Sequence, residues 1–157
     1  MTPCCCSGEV ITPTYLKWML CFEEPETRTL WLAKATPRDW LAAGEAPLMA
    51  SNLTTRYGRI SFTMSTAAAV VAGTGAGYAV HASVTLPSSF ATSPPSGGIR
   101  LRIRAPMEHA GKLSKVTIGG VAWTAFSAAE ETIDIAASKI TAKLIASGLP
   151  EIVATFS

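Results

Sequence analysis

Two groups of carboxylates, Glu23, Glu24 and Glu26 in one and Glu130 and Glu131 in the other, are the first residues whose spacing suggests acid–base chemistry. Cleaving a glycosidic bond takes two carboxyl groups facing one another across a sugar, about 5 to 9.5 Å apart. The first group falls where a helical pattern gives way to an extended one, in a linker. The second is a pair of sequence neighbours, which a strand would point to opposite faces. Neither group predicts a cleft. A Ser-His-Asp arrangement needs a histidine held by a carboxylate beside a nucleophile. His81 reads as the polar side of a strand and His109 as a loop residue beside Glu108, and no GxSxG elbow accompanies either, so both are expected at the surface.

The thiols point the same way. Cys4, Cys5 and Cys6 are adjacent and Cys21 stands apart. Neighbouring cysteines do not converge easily on one tetrahedral metal, and no CxxC pair or histidine cluster completes a ligand set, so no metal site is expected. Cys21, beside Phe22 on what reads as a helix face, is expected to be a packed thiol. Gly73, Gly75 and Gly77 have the look of a phosphate loop, but a strand follows them instead of a helix and no GK[ST] is present, so they read as a flexible turn between strands. The expectation is a chain that is not an enzyme and carries no cofactor.

Binding residues are more plausible than reacting ones. Trp and Tyr rings stack on the apolar faces of sugars, but they also fill cores and domain seams. Trp31, Trp40, Arg56, Tyr57 and Trp123 are therefore carried forward as sugar or domain-seam contacts. Arg100, Arg102 and Arg104 alternate with Ile99, Leu101 and Ile103 and are expected along one face of an interior strand. That face reads as solvated, with an acidic sugar as the functional alternative.

The elements that must position these residues are mostly strands. Leu30 and Leu32 alternate with Trp31 and Ala33, and then Thr36 and Pro37 suit the cap and first position of a short helical turn carrying Trp40 and Leu41, ended by Gly44. Ile60, Phe62 and Met64 form one side of a strand; Tyr78, Val80, Ala82, Val84 and Leu86 form one side of another. Residues 88–98 are a loop by composition. Val116 and Ile118, Gly119 and Gly120, then residues 121–124 read as a hairpin with Trp123 packed across it. Residues 132–135, 140–144 and 152–156 supply further strands. Residues 136–146 also suit a helix, but the alternation of Ile140, Ala142 and Leu144 favours strand.

The N-terminal part differs. Residues 1–9 carry no period and are expected to be disordered. Thr12 and Pro13 read as a cap and first turn, and Ile11, Tyr15, Trp18, Met19 and Phe22 recur at helical spacing, predicting a helix over residues 12–22 within a helix-and-linker segment of residues 10–27. Residues 28–157 then form the main domain. Hydrophobic residues are 48% of the chain and charged residues 15%, a composition that excludes wholesale disorder. Lys and Arg number 13 against 11 for Asp and Glu, and a net charge of +2 offers no field to recruit nucleic acid. No apolar run reaches the roughly 18 residues of a membrane span, and the first residues lack the pattern of a signal peptide, which leaves the compartment open. Short strands separated by turn signals predict an all-β fold, an antiparallel β-sandwich of Ig-like or accessory type, preceded by one helix and a short helical turn.

The order of these parts resembles the C-terminal region of bacterial six-hairpin glycosidase-like proteins, in which a barrel of paired helices precedes a β-sandwich. YLKWMLCFEE resembles the closing helix of the barrel, TLWLAKATPRDWL the strand and turn entering the sandwich, and TTRYGRISFTM the strands that follow. IRLRIRAP and KVTIGGVAW resemble later strands of that sandwich. The likeness runs from Tyr15 to the C-terminus and is most specific over residues 30–64. It implies a non-catalytic accessory sandwich of a polysaccharide-processing protein, with the cleaving carboxylates in a helical barrel separated from this chain. The alternatives are a free-standing carbohydrate-binding module and a structural sandwich of a virion or surface assembly. The expected partners are the helical barrel, a second copy bound through the exposed helix, and polysaccharide.

Overall fold

The computed structural model describes residues 6–71 and 75–157, with side chains over 11–67 and 77–157. A helix, α1 (Cys6–Leu20), leads into β1 (Cys21–Glu23) and β2 (Leu30–Leu32), a 3₁₀ turn (Arg38–Leu41), and β3 (Leu48–Thr55), β4 (Gly58–Val71) and β5 (Gly75–Thr85). After a 3₁₀ turn (Ser88–Ala91) come β6 (Ile99–Arg102), a third turn (Met107–His109), β7 (Leu113–Ile118), β8 (Val121–Trp123), β9 (Phe126–Ser127) and β10 (Thr132–Ile135). A turn (Ala137–Lys139), α2 (Ala142–Ser147) and β11 (Ile152–Phe156) complete the chain.

The strands make two sheets, β1-β2-β6-β10-β9 and β3-β4-β5-β11-β7-β8. Alternation decides their inner faces. Leu30, Leu32, Ile99, Leu101, Ile133 and Ile135 from the first sheet meet Ile60, Phe62, Met64, Val80, Ile152 and Phe156 from the second, all buried in one core. Each such side chain contributes about 1.5–3 kcal/mol on full burial. The result is the all-β sandwich that the alternation predicts. Among the described residues, the strand pairs are antiparallel except β2 and β6, which run parallel. Parallel strands need a crossover connection rather than a hairpin, and here residues 33–98 supply it, carrying β3, β4 and β5 into the other sheet.

Turn chemistry fixes register at two places. Gly119 and Gly120 both have positive φ, 59° and 77°, the backbone that a two-residue hairpin between β7 and β8 demands. Gly98 has φ 77° at the entry to β6, and a Cβ there would collide with the carbonyl of Ile135. Of the glycine string, Gly75 and Gly77 lie within β5, and Gly73 falls outside the described residues.

Several expectations are corrected. The helix spans Cys6–Leu20 and not residues 12–22, so Pro13 lies inside it and Phe22 belongs to β1. Pairing of Cys21, Phe22 and Glu23 with Leu32, Trp31 and Leu30 overrides the helical period there. The sandwich consequently begins at Cys21 rather than at residue 28. Of residues 1–9, expected to be disordered, 6–9 are helical and 1–5 lie outside the described residues. Residues 140–144 are not a strand: Thr141 caps α2, its hydroxyl accepting from the Leu144 amide at 3.4 Å, and Gly148 follows the helix with φ 77°. In the turn at Arg38–Leu41 the Thr36 hydroxyl makes no cap; it donates to the Ala33 carbonyl at 3.4 Å.

One ion pair fastens the turn after β2 to the turn before β10. Arg38 Nη1 and Nη2 each lie 2.9 Å from a carboxylate oxygen of Glu131, whose residue is 1% exposed. The Gly111 amide donates to the same carboxylate at 3.1 Å, and Arg38 Nη1 also reaches the Ala105 carbonyl. Removing one partner of a buried pair strands the other charge, at a cost of about 3 kcal/mol or more. Arg38→Met is therefore expected to lower the unfolding free energy by about 3 kcal/mol in a urea titration; a loss below about 1 kcal/mol would place this pair with ordinary surface bridges.

Candidate functional site

Register, not sequence proximity, assembles the site. Phe22 of β1 is opposite Trp31 of β2, Trp31 is opposite Arg100 of β6, and Arg100 is opposite Asp134 of β10. Their neighbours Leu30, Leu32, Ile99, Leu101, Ile133 and Ile135 fill the core, so these four side chains form a row on the outer face of the first sheet. Lys34 Nζ sits 3.7 Å from the centre of the Phe22 ring and 5.1 Å from that of Trp31. The Arg100 guanidinium carbon is 4.9 Å from the Trp31 ring centre. Cations over aromatic faces are attracted by the ring quadrupole, so Lys34 and Arg100 set positive charge against the two rings of the row.

Arg100 grips Asp134 through a forked contact, Nε to Oδ1 and Nη2 to Oδ2, the second at 3.2 Å. That hydrogen bond, opposed by partial burial, holds the Arg100 guanidinium above its ordinary range. Arg102 and Arg104 behave differently from a solvated strand face. Arg102 Nη1 donates to the Lys34 carbonyl and Arg104 Nη1 to the Thr36 carbonyl, each at 3.2 Å, and both residues are half-buried. They satisfy backbone acceptors of the segment after β2, which lies along their side of β6. Burial, together with the nearby Arg38 and Arg102 cations, lowers the pKa of Arg104.

Two concavities flank the row. One, of about 350 Å³, lies against α1 between Tyr15, Trp18, Phe22, Lys34 and Arg102. The rings of Tyr15 and Trp18 meet edge to face at 5.6 Å, and those of Trp18 and Phe22 at 6.3 Å. The other, of about 370 Å³, lies between Trp123, Arg100, Asp134 and Lys139. The Trp123 indole nitrogen donates to the Asp134 carbonyl at 3.0 Å, which bridges the two sheets and fixes the ring.

The predicted residues therefore separate. Trp31 and Trp123 belong to this face. Trp40, 38% exposed, lines a different hollow beside Pro47 and Met49. Arg56 pairs with Glu23 at 2.5 Å, and Tyr57 packs edge-on to Phe90 at 6.1 Å; neither lines the two hollows. The histidines are half-buried: His81 Nδ1 is 2.8 Å from Glu151, and His109 stacks on Tyr78 with ring centres 4.5 Å apart. Sequence reasoning missed Tyr15, Lys34, Asp134 and Lys139 as site members. The alternation of Asp134 with Ile133 and Ile135 was the one available signal for its outward direction.

Compared with known protein families, with curated proteins and with solved structures, the chain gives no match. The geometry alone speaks for the site: rings that can stack on an apolar ligand face, beside charges that can pair with polar groups.

Cys21 is on β1 and not on a helix, and it is buried. Burial, with Glu23 adding to it and Lys17 opposing, pushes its thiol up to about 12. A thiol that stays protonated is a poor nucleophile. Iodoacetamide at pH 8 is expected to leave the Cys21 peptide unmodified in the folded protein and to label it in denaturant, as read by mass spectrometry; rapid labelling in the native state would contradict its burial.

Proposed function

We propose that this chain is the non-catalytic accessory β-sandwich of a glycoside-hydrolase-like, polysaccharide-processing protein, and that α1 seats it against a helical partner. The observation that carries the reading is the surface of α1. Ile11, Tyr15, Leu16 and Trp18 are 45%, 56%, 48% and 46% exposed. The other end of the helix is fastened to the sandwich: the Ala33 amide donates to Leu20 at 2.7 Å and the Ala35 amide to Met19 at 3.1 Å, while Leu20 packs on the core. A helix held firmly at one end and apolar along its free face is suited to lie against another helix. The resemblance of YLKWML, the part of that stretch that is helical, to the closing helix of a helical barrel gives that partner its character. In its absence the same surface favours a second copy of the chain.

A second reading, a carbohydrate-binding module, draws on the row of Phe22, Trp31, Arg100 and Asp134, since rings and charges on an open sheet face are the chemistry that sugar recognition uses. The two readings are compatible, because the row continues beyond α1.

The double variant Ile11→Lys, Tyr15→Lys tests the first. Both side chains are exposed, so the melting temperature is expected to stay within about 2 °C, in keeping with surface substitutions of small effect. Light scattering is expected to show association of the native chain at tens of micromolar and a monomer for the variant. A native chain that is already monomeric, with α1 unchanged by the substitutions, would overturn the reading.

A further inference from the structure

We propose that the groove between Trp123 and the Arg100–Asp134 pair is a subsite for one pyranose unit carrying a carboxylate, such as a uronic acid residue of a polysaccharide. The inference rests on the polysaccharide-processing reading and names the sugar class that reading leaves open. Three features of the groove support it.

The first is a preset ring. Trp123 is half-buried, and its indole nitrogen is committed to the Asp134 carbonyl at 3.0 Å, so the ring plane is fixed before any ligand arrives. Ligand binding then orders little that is not already ordered. The second is shape. The groove, about 370 Å³, falls within the range of small-molecule sites, and Gly97, Ala125 and Ala136 line it with small residues beside the ring. The third is charge. Two cations, Arg100 and Lys139, border the space against one carboxylate, Asp134. Arg100 uses Nε and Nη2 on Asp134, which leaves Nη1 outside the fork. Lys139, at the end of a 3₁₀ turn, supplies an exposed second donor. An incoming carboxylate balances the excess cation, and the outer lone pairs of Asp134 accept sugar hydroxyls. A neutral sugar would use the ring and Asp134 but leave the charge of Lys139 unanswered, since Arg100 is already paired with Asp134.

The test is a calorimetric titration of the full chain with trigalacturonate, and with cellotriose as the neutral counterpart, at low and at moderate salt. Trigalacturonate is expected to bind, to weaken severalfold as salt rises, and to bind at least tenfold more weakly to Lys139→Glu, a substitution at an exposed side chain that leaves the fold intact. Trp123→Ala is expected to abolish binding; circular dichroism checks its folding, and the Lys139 variant decides the matter if that chain unfolds. Failure to bind trigalacturonate, equal binding by Lys139→Glu, or equal affinity for cellotriose would each overturn the subsite. A variant Ile11→Lys, Leu16→Lys, which changes two exposed residues of α1 that line neither hollow, is expected to bind trigalacturonate like the native chain. If that variant loses association while neither chain binds the uronate, the subsite falls and the docking reading stands.

Discussion

Glu131 carries a charge where a charge is costly, and the path of the first sheet depends on how it is answered. The residue is almost wholly buried, with φ 55°, a backbone conformation that side chains other than glycine adopt at a cost. Arg38, 93 residues earlier, supplies a two-pronged contact, and the Gly111 amide adds a third donor. This one carboxylate ties together the turn after β2, the segment between β6 and β7, and the turn before β10. With Arg38 so held, residues 34–38 must run beside β6, where Arg102 and Arg104 meet their carbonyls. That path accompanies the parallel pairing of β2 with β6, and the pairing is what places Trp31 directly beside Arg100.

Stability and the candidate site thus come from opposite faces of the same strands. Each residue of β2, β6 and β10 that points inward is aliphatic, and each that points outward in the central row is aromatic or charged. The inner face needs no partner, because two sheets close it. The outer face satisfies itself in part, through the Arg100–Asp134 fork and the cations over Phe22 and Trp31, yet it retains two hollows at its ends. An Arg fork held against a carboxylate keeps its geometry at little further entropic cost.

How much of this was legible in the sequence follows from the range of the forces involved. Alternation within β6 and β10, and the glycine pair between β7 and β8, are local, and they read directly as strands and a turn. The row of Trp31, Arg100 and Asp134 was not legible, because it depends on which strands become neighbours and in what register, over separations of tens of residues. For the same reason Cys21 and Phe22 read as helix until their pairing with Leu32 and Trp31 is known. The segment around α2 misled differently: alternating Ile140, Ala142 and Leu144 mimic a strand, and the cap from Thr141 with Gly148 after Ser147 decides for helix. The arginines misled through their partners, since no sequence pattern reveals that the carbonyls of Lys34 and Thr36 lie within reach.

The central claim is that the sandwich is complete in itself while the free face of α1 is built to be covered. Hydrogen exchange of the full chain, followed by mass spectrometry across a range of protein concentrations, addresses it most directly. The account predicts that amides of β4, β5, β6, β10 and β11 exchange slowly at every concentration, whereas those of α1 exchange quickly in dilute protein and become protected as concentration rises. Protection of α1 that equals that of β6 and does not change with concentration would contradict it.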